Sequence, residues 1–170
     1  MKKIILFVGL MVSCAIASAQ GSLEVGSAQL NAGLGVSGWG VPVYVGIDVG
    51  VHDDVTVGAE ISYRNDTQRF GNGKIKYGGL GIGANGNYHF NNLFDLPTEF
   101  DVYAGASLVY MTWTRNISGG AYSGAFDHSS GLAMLIQTGG RYFFTNDFGV
   151  NVEAFGGSMF GAKAGITYKF

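Results

Sequence analysis

His128, Ser129 and Ser130 form the stretch of the chain whose residue types could support nucleophilic catalysis. A serine hydroxyl becomes a strong nucleophile when a histidine takes its proton and a third group orients that histidine. No residue of the sequence is spaced to supply this third group, and short polar stretches of this kind are typical of solvated turns. We therefore predict that the protein is not an enzyme and that it needs no cofactor and no metal.

A second set of residues could form an ion or proton path. Charged residues occur one at a time within segments that are otherwise apolar or rich in glycine. We favour the structural interpretation, an internal network of salt bridges and hydrogen bonds that fills the protein, with His89 nearby. The candidates for either role are Asp48, Glu60, Arg64, Arg141, Glu153 and Lys163.

The elements that must position these residues are β-strands. Val43, Val45 and Ile47 alternate with Tyr44 and Gly46, and a period of two places alternate residues on opposite faces of a strand. One face of each segment is aliphatic, and the other face carries glycine and the charged candidates. Eight such segments follow one another, at residues 28–36, 43–51, 55–64, 78–90, 101–114, 132–144, 148–156 and 162–170.

The composition excludes several classes of protein. Of 170 residues, 29 are glycine, only 2 are proline, and charged residues make up 13%. A soluble domain has about 25% charged residues and about 7% glycine. Plentiful aromatic and β-branched residues exclude disorder, and the lack of a three-residue glycine period excludes collagen. The net charge of −2 argues against binding to nucleic acid.

Residues 1–19 have the pattern of a secretory signal peptide. A basic head, an apolar run too short to span a bilayer and a small-residue cleavage site follow one another there. We predict cleavage after Ala19 and a single domain over 20–170. Lipidation of Cys14 is the alternative, because the residues before it loosely resemble a bacterial lipoprotein box. With cleavage after Ala19, the mature chain has no cysteine.

The aliphatic faces are predicted to meet lipid, because the glycine-rich charged faces suit the crowded interior of a small barrel better than a solvent-exposed surface. Aromatic residues gather near the two ends of the strands, as in the girdles of transmembrane barrels. We therefore predict an all-β fold, an eight-stranded antiparallel up-and-down transmembrane barrel. The girdle near the chain termini would hold Tyr88, Phe90, Tyr103, Tyr142, Phe144, Phe148, Tyr168 and Phe170, and the far girdle Trp39, Tyr63, Tyr77, Tyr110, Trp113 and Phe160.

The connections between the strands are predicted to differ at the two ends. Those on the side of the termini are mostly short, whereas two long ones, 65–74 and 115–130, lie on the far side. Short periplasmic turns and long outer loops are typical of outer-membrane barrels. The two long loops are therefore the predicted place for a surface ligand.

The chain resembles the small eight-stranded outer-membrane β-barrels of Gram-negative bacteria, of the OmpA transmembrane domain and OmpX type and the porin-family group. Residues 88–90, 101–105 and 140–145 carry the resemblance, together with the terminal residues 165–170. It implies outer-membrane lipid and lipopolysaccharide as surroundings. It also implies that Tyr168 and Phe170 form a signal read by the barrel assembly machinery.

The resemblance is specific for architecture and leaves the biochemical role open. We expect a structural, adhesion or surface-interaction role, because an eight-stranded interior is only just wide enough for side chains. The alternative is a narrow porin-like channel for small solutes or ions. A lipid A-modifying enzyme that uses His128 comes third.

Overall fold

Eight strands and one short helix make up the fold in the computed structural model, which describes residues 23–38, 40–70, 73–118 and 130–170. The predicted leader, Trp39, and His128 with Ser129 lie outside these ranges. The elements are β1 (Ala28–Ser37), β2 (Val41–His52), β3 (Val55–Phe70), β4 (Gly73–His89), α1 (Asn91–Phe94), β5 (Phe100–Ser118), β6 (Gly131–Phe143), β7 (Phe148–Gly157) and β8 (Gly161–Lys169).

The strands form one closed antiparallel barrel in chain order, in which β1 also pairs with β8. This confirms the predicted fold class. Long stretches keep a constant register: β3 and β4 pair without a shift from Val55↔Tyr88 to Phe70↔Gly73. A constant register preserves the period of two, so the inward and outward faces read from the sequence persist along each strand.

The outer surface of the barrel is a belt of aliphatic side chains. Ile136 is 71% exposed and Val152 is 59% exposed, although both lie in the middle of regular strands. A monomeric protein in water rarely exposes a continuous apolar surface of this extent. Lipid is the solvent that suits this belt. Among the described residues, no helix is long and apolar enough to cross a membrane.

An aromatic rim surrounds the end of the barrel where the chain termini meet. Phe100, Tyr142 and Phe144 form successive ring contacts with centroids 5.0 and 5.3 Å apart. Tyr88 packs on Phe90 at 5.2 Å in the same rim. Rings at this level sit at the boundary between hydrocarbon and headgroups, as the sequence predicts.

Three of the predicted girdle residues face inward instead. Tyr77 and Tyr103 are buried in the lumen, and Trp113 packs on an apolar cluster inside the barrel. The prediction was wrong for these rings because it used their height along the strand and not their parity. Tyr103 fits inside because Gly139, which faces its hydroxyl group, has no side chain. A Cβ added at Gly139 would lie 2.5 Å from the Tyr103 hydroxyl oxygen.

Three neighbouring strands extend beyond the others on the side away from the termini. The β2–β3 pairing ends at Val41↔Asn65 and the β5–β6 pairing at Met111↔Gly131. We call residues 66–70 of β3, 73–77 of β4 and 112–118 of β5 the extension.

The extension corrects the predicted loops 65–74 and 115–130. Most of the first is strand, and the second begins only after Ser118, with residues 119–129 outside the described ranges. The residues that continue the outward face in these segments are polar. The alternation of aliphatic residues, from which the strands were predicted, therefore ends before the strands do.

We predict that Ile47→Arg destabilises the barrel by about 2–4 kcal/mol, the cost of a cation at the midplane of a bilayer. Ile47 lies on the outward face between Leu30 and Ala59, midway along β2. Equilibrium unfolding of the protein refolded into lipid vesicles measures the change, with Ile47→Leu as the control. An equal stability of the two variants would contradict a lipid-facing belt.

Candidate functional site

The centre of the polar lumen on the side of the termini is the guanidinium group of Arg141. Its Nη1 lies 2.7 Å from Asp101 Oδ2 and its Nη2 lies 2.8 Å from Asp48 Oδ2. His89 Nδ1 lies 2.7 Å from the second oxygen of Asp101. All four residues are buried, so each charge is stabilised by its partners and not by water.

Neutral side chains complete the hydrogen bonds of this group. Asn31 Nδ2 donates to Asp48 Oδ2 at 2.9 Å, and the Thr167 hydroxyl donates to Asn31 at 2.9 Å. The Gln29 amide, with its oxygen turned toward Arg141, accepts from Nε at 3.0 Å. The guanidinium carbon also lies 4.3 Å from the centre of the Tyr103 ring.

A second ionic group crosses the middle of the lumen. Lys163 Nζ lies 2.6 Å from Glu60 Oε2 and 2.9 Å from Glu153 Oε1, and so links β8 to β3 and β7. The Tyr103 hydroxyl donates to Glu153 Oε2 at 2.9 Å. Tyr103 therefore connects the two groups, with its ring on Arg141 and its hydroxyl on Glu153.

Arg64 stands apart from both groups, nearer the extension. Its guanidinium nitrogens contact Ser62 Oγ at 3.3 Å and Met159 Sδ at 3.2 Å, and its Nε has no hydrogen-bond partner in the described part of the chain. No described carboxylate lies within ion-pair distance of Arg64. It is a buried cation held by neutral groups.

Apolar side chains occupy the lumen above the Lys163 group. Met111, Leu135, Phe155 and Met159 form a buried cluster, against which Val109 and Trp113 pack. Since ions need polar groups or water to replace their hydration shell, this cluster is a barrier to their passage.

Two small cavities lie inside the described part of the barrel. A cavity of about 30 Å³ lies between Arg64 and Lys163, and one of about 20 Å³ lies between Lys163 and Arg141. A water molecule needs about 10–15 Å³ of such volume. Each cavity therefore has room for one or two waters, and Glu60, Lys163 and Glu153 line both cavities.

The structure brings together five of the six charged residues predicted from the sequence, in two separate groups, and places Arg64 in neither. Asp101, which the sequence reasoning missed as a site residue, joins Arg141 to His89. The sequence did indicate an inward position for Asp101, because it lies two residues from Tyr103 and so on the same face of β5. The sequence does not show which of these charges pair. Asp48 and Arg141 are 93 residues apart and meet only because the barrel closes.

One cluster has the shape of a catalytic triad. The Thr56 hydroxyl lies 3.0 Å from His89 Nε2, and Asp101 holds the other ring nitrogen of His89. A nucleophile must meet its substrate, yet Thr56 is 1% exposed and lines neither lumen cavity. The cluster therefore satisfies buried polar groups. Within the described ranges, no three His, Cys, Asp or Glu side chains come together to hold a metal ion.

Comparison with solved structures identifies the architecture. The outer membrane protein OprG from Pseudomonas aeruginosa matches with a TM-score of 0.68 at 11% identity, over 89% of this chain and 99% of OprG. The N-terminal β-barrel domain of Pseudomonas aeruginosa OprF matches with a TM-score of 0.60 at 18% identity, over 86% and 98%. The chain has the fold of the small outer-membrane β-barrels. The expected resemblance is thus confirmed for the fold.

The fold does not assign a role. A de novo designed transmembrane β-barrel matches this chain with a TM-score of 0.59 at 14% identity, over 86% of this chain and 98% of the design. No protein-family profile and no curated protein matches the sequence. The function of this small barrel must therefore be argued from its own residues.

We predict that Arg141→Met destabilises the barrel by about 3–5 kcal/mol, because it leaves Asp48 and Asp101 buried without their cation. Arg64→Met is the matched control. It removes a buried cation that has no carboxylate partner, and we expect a cost below about 1 kcal/mol. Denaturant unfolding of both variants in the same detergent measures the difference. Equal costs would show that the Arg141 ion pairs contribute nothing specific.

Proposed function

We propose that this protein is an integral barrel of the bacterial outer membrane that acts through its surfaces, with a lumen that stabilises the fold and does not conduct. The observation that carries the proposal is the filled lumen. Two ionic groups and an apolar cluster occupy the described part of the lumen, next to small cavities of about 30 and 20 Å³.

Placement in the outer membrane is supported by the closed barrel and its aliphatic belt. Among membrane-spanning structures, closed antiparallel barrels with girdles are characteristic of that membrane. In such barrels the turns near the chain termini face the periplasm, which supports an outer position for the extension. The leader over 1–19 and the assembly signal of Tyr168 and Phe170 remain predictions and agree with this route.

A surface role is supported by the extension. Its three strands continue beyond the end of the β2–β3 and β5–β6 pairings, and their sequence there is rich in polar residues. Adhesion, recognition and membrane integrity all use such a surface, whereas the triad-like cluster of Thr56, His89 and Asp101 is buried. The proposed role is therefore structural and interactive, and not enzymatic.

We predict that the purified, refolded protein gives no discrete channel openings in planar lipid bilayers. The physical reason is the apolar cluster around Phe155 and Met159, which excludes hydrated ions. Folding is checked first by the shift in gel mobility between unheated and heated samples. Stable discrete openings from the folded protein would refute the closed-lumen proposal and favour a narrow channel.

We predict that a cysteine introduced at Thr67 in intact bacteria is labelled by a membrane-impermeant maleimide, whereas one at Asp95 is not. Both positions are exposed, at opposite ends of the barrel. Cys14 is the only native cysteine and lies in the predicted leader, so labelling reports the introduced site. Labelling of Asp95→Cys alone would invert the proposed orientation.

A further inference from the structure

Residues 23–27, which precede β1, lie inside the inner mouth of the barrel, at the end where the chain termini meet; we call them the inner segment. Gly50 faces the lumen, because it shares the inward face of β2 with Asp48. A Cβ added at Gly50 would lie 2.8 Å from the carbonyl oxygen of Leu23, and its three nearest atoms would all belong to Leu23 and Glu24. The inner segment therefore crosses the mouth on the lumen side of β2, where Leu23 is buried.

A tight turn brings the inner segment into this position. The Ser27 N–H donates to the Glu24 carbonyl at 3.0 Å, and Gly26 has a φ of +86°. A positive φ at the third residue of a four-residue turn is the requirement of a type II turn, and glycine adopts it without strain. Gly26 also donates its N–H to the Gly50 carbonyl at 2.8 Å. The inner segment is thus a turn that is anchored on one residue of the wall.

The inner segment covers polar residues at this end of the lumen. Gly50 pairs directly with Thr56, the second residue of β3, and Thr56 contacts His89, the last residue of β4. Inward residues this close to the end of a barrel meet water unless something covers them, yet Thr56 and His89 are each 1% exposed. Across the mouth, on β6, Phe143 is buried, and the Lys169 ammonium lies 3.8 Å from the centre of its ring. Because β6 stands opposite β2 in the ring of eight strands, the mouth is closed from both sides.

The inner segment is held more weakly than the wall of the barrel. Among the described residues, two backbone hydrogen bonds tie it to the wall: the one from Gly26 and one from the Gly50 N–H to the Ser27 carbonyl at 3.1 Å. By contrast, β1 pairs with β2 from Ala28 to Leu34 and with β8 along its whole length. Regions with few buried contacts open at a free energy well below that of global unfolding.

The groups under the inner segment also favour local opening. Thr56, His89 and Asp101 are polar and bond to one another, so water that reaches them meets no apolar surface. Leu23 is the apolar side chain that loses its burial, since Val25 is already 58% exposed. Opening therefore exposes little apolar area.

We propose that the inner segment is a lid that opens while the barrel stays folded, with Gly26 as its hinge. Opening lets water and small solutes enter the lumen as far as the Arg141 group. The apolar cluster lies beyond that group and still blocks passage to the other end. The lumen is then a chamber with one entrance, on the side of the termini. This inference concerns the inner mouth alone, so it does not depend on the role proposed for the extension.

The test measures how fast a cysteine under the inner segment reacts with a small, charged methanethiosulfonate. Thr56→Cys is introduced into the refolded chain 20–170, which has no other cysteine. In this background, Gly50→Ala adds a Cβ that collides with the inner segment, and Gly26→Val opposes the positive φ of the turn. We expect each change to speed the reaction at least about tenfold, because each favours the open lid. Gly156→Ala is the matched control, since its Cβ meets nothing within 4 Å, and should leave the rate unchanged.

Three results would overturn the proposal: a Thr56→Cys that reacts as fast as the exposed Asp95→Cys, an unchanged rate in either glycine variant of the inner segment, or a reaction no faster than global unfolding. Heat-modifiable mobility checks the folding of each variant. If Thr56→Cys does not fold, amide hydrogen exchange of the unmodified protein replaces it. The Gly26 N–H should then exchange at least about tenfold faster than the Ala32 N–H midway along β1, and equal rates would refute a separate opening. Neither measurement uses conductance, so its failure is distinct from a failure of the closed-lumen proposal.

Discussion

Closure of the sheet between β1 and β8 is the constraint on which the rest of the structure depends. Hydrocarbon offers no hydrogen bonds, so every backbone group within the membrane needs a partner from another strand. Nine residue pairs join β1 to β8, from Gln29↔Lys169 to Ser37↔Gly161. Once the ring is closed, one face of each strand must be apolar and the other must fill a narrow space. The aliphatic belt and the polar lumen are both consequences of that division.

The narrow interior determines which residues can be neighbours. Large inward side chains lie over small ones, as Tyr103 does over Gly139 and Trp113 over Gly79, where an added Cβ would lie 2.7 Å from the indole ring. Charges share the remaining space only as bonded groups, because an unpaired carboxylate there would lose its hydration without compensation. The high glycine content and the small number of charges in the sequence therefore have the same cause. The narrow interior needs glycine opposite its large side chains and accepts charges only in bonded groups.

The sequence was sufficient to predict the strands, their faces and the inward position of the charged residues, because period-two alternation is a local property. It was insufficient for the pairing of charges. Asp101 and Arg141 meet because β5 and β6 are neighbours, whereas Arg141 and Asp48 meet across the lumen. The height of Tyr77 along its strand led to the wrong prediction of a girdle position, since an aromatic residue near a strand end can lie on either face. The extension was missed for a related reason, because its strands lack the aliphatic face that lipid requires of the others.

The unequal strand lengths remove the rotational symmetry that a cylinder would have. β5 has 19 residues and β8 has 9, and the two strands lie on different sides of the wall. The rim is therefore high along one arc and low along the other. A neighbouring protein in the plane of the membrane meets a taller wall on the side of β3 to β5 than on the side of β7 to β1. Contacts with neighbours in a crowded membrane therefore depend on which side of the barrel they meet.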